Sequence, residues 1–430
     1  MRKSKLFALV VLAALVVDMV GLRQASACPF CSAAQTTLSE DIKSNDVAVI
    51  CKLVNRPAEQ PADAPPEASE CTFEVLTAIK GGEHLKPAAE GKPTTIKILY
   101  FGEQPLGTKF LAFGIDPTNL AWGTPTAMSD RAIDYVTKLP KLPDNGADRL
   151  AFFQEYFEDA DSLLAADSYD EFAKAPYSEL KDLKPRMPHD KLIAWIKDPN
   201  VSTSRRRLYL CMLSVCGTQA DVAFLEELIK NDDRQIRTAL DAMIGSYLSL
   251  RGPDGMPLVE DMFLKNKDAE YTDTYSAIMA LRFIGQETDA ISRDRLKEGM
   301  RHMLSRPTLA DLIIPDLTRW QDWSVMDRLV QLFKDADEES SWVRLPVVNY
   351  LRACPLPEAK KHLEELAKID PDVVKRAMNY YPTAPGTSAE SPGKTESQDK
   401  GAEKTIAAEK PAGAGAAASA SPPVPVPANP

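Results

Sequence analysis

Four of the seven cysteines in this 430-residue chain lie near its beginning, and thiols are the most reactive side chains that the sequence offers. Cys28 and Cys31 form a Cys-Pro-Phe-Cys motif, and Cys51 and Cys71 follow. In an oxidising compartment, four closely spaced cysteines predict two disulfides, which can be connected in three ways. The alternatives are a thiol redox function for Cys28 and Cys31 and a zinc site built on the Cys-x-x-Cys pair.

The sequence around Cys28 and Cys31 favours a structural disulfide over both alternatives. A catalytic dithiol follows a β-strand and opens a helix whose N-terminus lowers the thiol pKa, and no strand pattern precedes Cys28. A zinc site needs a second ligand pair at matching spacing. The histidines are far apart in the sequence, at His84, His189, His302 and His362. We therefore predict no metal and no cofactor.

The sequence carries no local motif for catalysis. It contains no Gly-x-Ser-x-Gly elbow, no P-loop, no His-Glu-x-x-His motif and no Gly-rich dinucleotide turn outside its C-terminal tail. No residue is therefore predicted to be catalytic, and the protein is predicted not to be an enzyme. An enzyme whose site is assembled from distant residues is the alternative.

Several other side chains are predicted to be packing residues. Cys211, Cys216 and Cys354 fall within apolar helical patterns, where a cysteine behaves as a small hydrophobic residue. Trp320 and Trp323 lie in one helix–turn segment and are predicted to pack in the core. As an alternative, these two tryptophans line a groove for a partner.

The first 27 residues have the order of a secretory signal peptide. Basic residues precede the apolar run 6–17, and Ala25-Ser26-Ala27 supplies the small residues that a signal peptidase recognises. We expect residues 1–27 to be removed and the protein to be exported to the periplasm or the extracellular space, with Cys28 first. Lipid attachment at Cys28 is disfavoured, because such sites usually carry Leu where this chain has Ala25. The run is too short and too interrupted to span a membrane, and no later stretch qualifies.

Charge and composition narrow the class of partner. The chain has 62 acidic and 51 basic residues, a net charge of −11, so it lacks the basic character of a nucleic-acid-binding protein. A hydrophobic fraction of 44% is enough for real cores. We therefore expect a protein or peptide partner and no nucleic acid.

Residues 28–125 are predicted to form a small β domain tied by disulfides. Four short β-rich runs at 46–54, 71–79, 94–100 and 108–114 are separated by Gly- and Pro-containing turns. The first run alternates apolar residues on one face, as a half-buried strand does. Several short strands of this kind favour a barrel.

This segment resembles the netrin-like domain, the OB-type barrel of the tissue inhibitors of metalloproteinases. The resemblance rests on Cys28 at the start, the strand around 47–53, Phe73-x-Val75 leading to Lys80-Gly81, and the run 107–114. In those inhibitors the amine and carbonyl of the first cysteine chelate a protease zinc. The resemblance thus implies an alternative function, metalloproteinase inhibition through the Cys28 edge. The inhibitors have Cys-x-Cys, however, whereas this chain has Cys-x-x-Cys.

A linker with one helix, residues 126–146, leads to helical repeats over 147–381. First helices of successive units are expected to start near 148, 190, 221, 257, 293, 323 and 358. Units of this length stack because one helix pair cannot bury its apolar stripe alone, which predicts an α-solenoid. Segments 233–240 and 341–351 resemble the second helices of HEAT repeats, which implies a curved surface that holds a protein partner.

Residues 382–430 have the composition of a disordered tail. This segment is rich in Ala, Pro and Ser and lacks Phe, Tyr, Trp and Leu, so it cannot bury enough apolar surface to offset the entropy of ordering. The predicted fold class is therefore multidomain α+β: a small β-barrel-like domain, a HEAT-like helical solenoid and a disordered tail. The predicted function is that of an exported, non-enzymatic binding or scaffold protein.

Overall fold

The computed structural model describes residues 28, 30–31, 34–57, 70–88 and 90–380. The predicted signal peptide, residues 1–27, and the predicted tail, residues 382–430, lie outside the described residues. Within the described part of the chain, no helix combines the length and the apolar character needed to cross a lipid bilayer.

The β domain is a nearly closed, barrel-like antiparallel sheet of six strands. The strands are β1 Val47–Asn55, β2 Glu70–Lys80, β3 Thr95–Leu99, β4 Lys109–Ile115, β5 Ala121–Trp122 and β6 Thr126–Ala127. Their order is β3-β2-β1-β4-β5, and β6 also pairs with β4. The four predicted strands are confirmed to within one residue at each end, and the two-residue strands β5 and β6 carry too little pattern to predict.

The two faces of β1 pack in different cores. Val49, Cys51 and Leu53 face a core within the sheet, as the alternation predicts. Ala48 and Ile50, on the opposite face, belong to the core that the helices share. Because β1 is buried on both faces, the sheet is fastened to the helices along its central strand.

A short helix that the sequence did not reveal, α1 Leu38–Ser44, precedes the sheet. Its N-terminus is closed by a capping box: the Thr37 side chain accepts a hydrogen bond from the Glu40 backbone N–H, and the Glu40 side chain accepts one from the Thr37 N–H. The buried residues Leu38 and Ile42 pack against the helical core.

Sixteen helices follow the sheet in the described chain, in agreement with the predicted change from strands to helices. They are α2 Asp130–Lys138, α3 Ala147–Phe153, α4 Ser162–Lys174, α5 Tyr177–Leu183, α6 His189–Lys197, α7 Thr203–Cys216, α8 Val222–Lys230, α9 Leu240–Arg251, α10 Met256–Val259, α11 Tyr271–Glu287, α12 Arg293–Arg301, α13 Ile314–Arg319, α14 Met326–Asp335, α15 Arg344–Ala353, α16 Pro357–Ile369 and α17 Pro371–Tyr380. A π-helical turn, Glu260–Leu264, continues α10.

The helices are arranged as stacked pairs, so the array is solenoid-like. Helices that are neighbours in the chain pack together, as α6 does on α7, α8 on α9, α14 on α15 and α16 on α17. The second helices also stack on one another, α9 with α7 and α11, and α15 with α13 and α17. The first helices α3, α6, α8, α10, α12, α14 and α16 begin within three residues of the predicted unit starts.

Candidate functional site

The cysteines form one disulfide in the described chain, and the prediction of two is wrong. Cys28 and Cys31 are bridged, whereas Cys51 and Cys71 are buried thiols. Strand register explains the difference: Cys51 lies opposite Val75, so Cys71 is four residues further along β2, about 13 Å away at the rise of a strand. Two cysteines with Cα atoms more than about 7 Å apart cannot be bridged. Burial raises the pKa of the Cys51 thiol to about 12, which makes it unreactive.

The disulfide turn is inserted into the helical array. The Phe30 ring lies 5.0 Å from the Phe283 ring on α11. A Cβ added to Gly245 on α9 would come within 2.9 Å of Phe30 Cζ, so the helix surface is open there only because residue 245 lacks a side chain. Cys28 itself is 1% exposed. A partner therefore has no access to the Cys28 edge in this structure.

Trp320 and Trp323 also lie within the packing of the array. Trp320 is buried against Gly285, and the Arg293 guanidinium lies 5.3 Å from its ring centroid. The Trp323 ring is half-buried and meets the Tyr350 ring edge-on at 5.1 Å. Their contacts are those of core residues.

A buried polar cluster fastens α1 to the helices. Asp167 on α4 accepts hydrogen bonds from the Tyr135 hydroxyl at 2.5 Å and from the Leu38 backbone N–H at 2.7 Å. Burial raises the pKa of the Asp167 carboxyl to about 6, although both hydrogen bonds act in the opposite direction. Beside it, Arg149 forms a buried ion pair with Glu171 at 2.6 Å. The cluster thus joins the N-terminal segment to the first helices.

Ion pairs between arginine and aspartate connect one helix pair to the next. Each carboxylate in this set is largely shielded from solvent, so the pairs are screened less than surface ion pairs and fix the spacing of the units. The pairs are Arg207–Asp241 (3.0 Å), Arg237–Asp273 (2.6 Å), Arg282–Asp316 (2.8 Å) and Arg344–Asp370 (3.0 Å).

An open pocket lies between two successive helix pairs, at the turns that follow α6 and α8. We call it the α6–α8 pocket; its volume is about 540 Å³, within the usual range for ligand sites. Its apolar lining consists of Ile196, Phe224, Leu228, Ile236 and Met243. Buried and half-buried apolar side chains of this kind suit an apolar group of a ligand.

Arg206 is the buried charged residue that lines the α6–α8 pocket, and it is 8% exposed. Its Nη2 donates to the carbonyl oxygens of Asp198 at 2.9 Å and Val201 at 3.2 Å. Its Nη1 donates to the Thr238 hydroxyl at 3.4 Å, and its Nε has no hydrogen-bond partner. No ion pair of the described residues includes Arg206. The guanidinium is thus held by three neutral acceptors, and two of its N–H groups, the buried one on Nε and one on Nη1, have no acceptor.

Exposed side chains of both signs form the rim of the α6–α8 pocket. Lys197, Glu227 and Asp233 line its opening, and the Lys197 ammonium lies 4.8 Å from the centroid of the Phe224 ring. Solvent screens these rim charges far more than the buried guanidinium. No pattern in the sequence indicates the α6–α8 pocket, because an arginine near the start of a predicted helix does not show whether an acidic residue will face it in the fold.

The described residues form neither a metal site nor a fully exposed disulfide. Among the described residues, no group of three or more His, Cys, Asp or Glu side chains is placed to hold a metal ion. In the Cys28–Cys31 disulfide, Cys28 is buried and Cys31 is half-buried against the helical core, which restricts exchange with a substrate thiol.

Comparisons with known proteins identify no family for this chain. The sequence matches no family model and no curated protein. Among solved structures, it is similar to human deoxyhypusine hydroxylase in complex with glycerol, at 15% identity, covering 57% of this chain and 86% of that chain, with a TM-score of 0.23. A likeness this weak carries no argument about fold or function.

Proposed function

We propose that this protein is an exported, non-enzymatic binding protein whose HEAT-like solenoid holds a protein or peptide partner. The observation that carries the proposal is the α6–α8 pocket, which is open and lies between helix pairs that ion pairs hold at fixed spacing. A rigid array that presents a preformed pocket loses little conformational entropy when a partner binds. Stacked helix pairs also provide the extended surface that repeat proteins use for binding.

Export is part of the proposal. The order of residues in 1–27 supports it, and the Cys28–Cys31 bridge agrees with it, because disulfides persist in oxidising compartments. The burial of Cys28 argues against the two alternatives, inhibition of a metalloproteinase through its free amine and thiol redox catalysis with Cys31.

Site-specific photo-crosslinking tests the proposed function. A photoreactive residue is introduced at Gln235, an exposed residue that lines the α6–α8 pocket, and at Lys361, an exposed residue on α16, as the matched control. Both variants are exposed to the extracytoplasmic fraction of the source cells. We expect a defined crosslinked species from position 235 that is absent from position 361. Identical products from both positions, or none from either, would contradict the proposal.

A further inference from the structure

We propose that the α6–α8 pocket binds the C-terminal carboxylate of a peptide whose last residue is apolar, with Arg206 as the group that pairs with the carboxylate. This inference rests on the proposed function and names the chemistry of the partner. A guanidinium is the side chain best suited to a carboxylate, because its planar donors match the two oxygens. Arg206 combines burial, an open pocket and N–H groups without an acceptor, and it forms no ion pair with the described residues.

Arg206 differs from two other arginines of the array in the partner that it meets in the next unit. Arg237 and Arg344 each meet an aspartate of the following unit, whereas Arg206 meets the hydroxyl of Thr238. A buried charge is costly unless it is paired, and carbonyl oxygens solvate the guanidinium without neutralising it. The α6–α8 pocket therefore contains a positive charge that the carboxylate of a ligand would neutralise.

Arg306 shows what a purely structural arginine of this kind looks like. It is 7% exposed, and its acceptors are also neutral: the carbonyl oxygens of Phe263 and Ala269 and the hydroxyl of Thr274. However, Arg306 does not line the α6–α8 pocket, and none of its buried nitrogens lacks an acceptor. A neutral shell alone is thus no sign of a ligand. The open pocket sets Arg206 apart from Arg306, and the lack of an acidic partner sets it apart from Arg237 and Arg344, whose Nε atoms also have no acceptor.

The shape and polarity of the α6–α8 pocket indicate which chemical groups of the ligand lie next to its carboxylate. Its apolar lining next to Arg206 suits a branched or aromatic side chain attached close to a carboxylate, as in the last residue of a peptide. Asn231 also lines the pocket, and its Oδ1 accepts from the Asp233 backbone N–H, so its amide N–H groups remain to donate to a peptide carbonyl.

The rim charges argue against a polyanion. Glu227 and Asp233 at the opening outnumber the single cation Lys197, so phosphates and nucleic acids meet repulsion before they reach Arg206. A ligand with one negative charge and an apolar body meets less of that repulsion. A peptide C-terminus has this combination, and so does a free small carboxylic acid. We infer a peptide and not a small carboxylic acid as the ligand, because the apolar lining extends well beyond the volume of a carboxylate.

Thr238 provides a variant that tests the charge without dismantling the fold. Thr238→Asp would place a carboxylate next to Arg206 within the chain, as Asp273 does for Arg237, and so would compete with a ligand carboxylate. Thr238→Asn is the matched uncharged control. A melting temperature of Thr238→Asp that is not below that of the unmodified protein shows that the variant is folded.

The experiment measures binding of pentapeptides that end in Phe, Leu or Val to the protein spanning residues 28–430, with its Cys28–Cys31 bridge intact. Each peptide is used as the free acid and as the C-terminal amide, and 3-phenylpropionate represents a small acid. We expect free acids to bind about ten- to a hundredfold more tightly than amides, as the loss of a charged hydrogen bond predicts. Thr238→Asp should weaken free-acid binding by a similar factor, and Thr238→Asn should leave it unchanged.

Several results would overturn this inference. Equal affinity for acids and amides, or equal affinity of Thr238→Asp and Thr238→Asn, would show that Arg206 does not bind the carboxylate. Binding of 3-phenylpropionate as tightly as the best peptide would assign the pocket to small acids. If no peptide binds while the probe at Gln235 still captures a partner, the carboxylate inference fails and the proposed function stands. If the probe captures nothing, the proposed function fails as well.

Discussion

The guanidinium of Arg206 meets the hydroxyl of Thr238 at 3.4 Å, at a junction between helix pairs where Arg207 meets the carboxylate of Asp241 at 3.0 Å. Two adjacent arginines on α7 thus face the same neighbouring unit with different partners. Arg207 is neutralised within the chain and contributes to the spacing of the array. Arg206 has no acidic partner among the described residues, so its charge is available to a ligand in the α6–α8 pocket.

The disulfide turn is predicted to contribute to stability through Phe30. Phe30→Ala removes a buried ring that packs on Phe283, so we expect a loss of about 3–5 kcal/mol in the free energy of unfolding. Denaturant titration with the bridge intact measures it. Phe101→Ala is the control, because Phe101 is 82% exposed and its removal should change stability by less than about 0.5 kcal/mol. Equal effects of the two variants would mean that the turn is not inserted.

The aspartate pairs of the array are predicted to be structural. Asp316 is 1% exposed and accepts hydrogen bonds from Arg282 and Arg319. Asp316→Asn leaves the Arg282 charge without its partner, so we expect a loss of about 3–5 kcal/mol by chemical denaturation. Asp261→Asn breaks the exposed i,i+4 pair with Lys265 and should cost at most about 0.5 kcal/mol. A small effect at Asp316 would show that the ion pairs do not fix the array.

Stability is predicted to fall as the pH rises through the range in which Asp167 titrates. Burial holds the pKa of this carboxyl at about 6 in the folded protein, above its ordinary 3.8. Between about pH 4 and pH 6 the folded protein therefore retains a proton that the unfolded chain has released, and stability declines with pH, by about 2–3 kcal/mol in total. Asp167→Asn should lack this component.

The measurement is the denaturation midpoint of both proteins from pH 4.5 to pH 8. Other carboxyls titrate in the same range, so the difference between the two curves isolates Asp167. We expect the unmodified protein to lose stability relative to Asp167→Asn as the pH rises to about 7. Parallel curves across the range would contradict the raised pKa.

The thiols are predicted to differ sharply in reactivity. Non-reducing peptide mapping should find the Cys28–Cys31 bridge and no bridge that includes Cys51 or Cys71. Because Cys51 is buried and its thiol pKa is raised to about 12, it should resist iodoacetamide in the folded protein and react after unfolding. A Cys51–Cys71 bridge would refute the strand register.

The helices and strands could be predicted where buried apolar residues recur at a regular spacing along the chain. Alternating apolar residues in β1 located the strand because one face packs within the sheet, and the helix-pair period located the unit starts because each unit buries the same face. The α1 helix could not be predicted, because its seven residues are too few to show the hydrophobic period of a helix. The disulfide connectivity could not be predicted either, because it depends on strand register, which the spacing of cysteines in the sequence does not determine.

The site could be predicted only in part. Gly245, in the middle of an apolar helical run, is the kind of position at which another segment approaches a helix closely, and Phe30 occupies that position. No pattern in the sequence links the two residues, because they are far apart in the chain. The α6–α8 pocket depends on which side chain of the next unit faces Arg206, and only the packed structure identifies it as Thr238.

If the partner enters the α6–α8 pocket, closing the pocket prevents the partner from binding. Leu228→Trp fills the half-buried lining with a larger side chain while leaving Arg206 and the ion pairs in place. The measurement is the yield of the crosslinked partner from a probe at Gln235 in the protein with Leu228 and in Leu228→Trp, each shown to be folded. We expect the yield to fall at least about tenfold in the variant. An unchanged yield would contradict it.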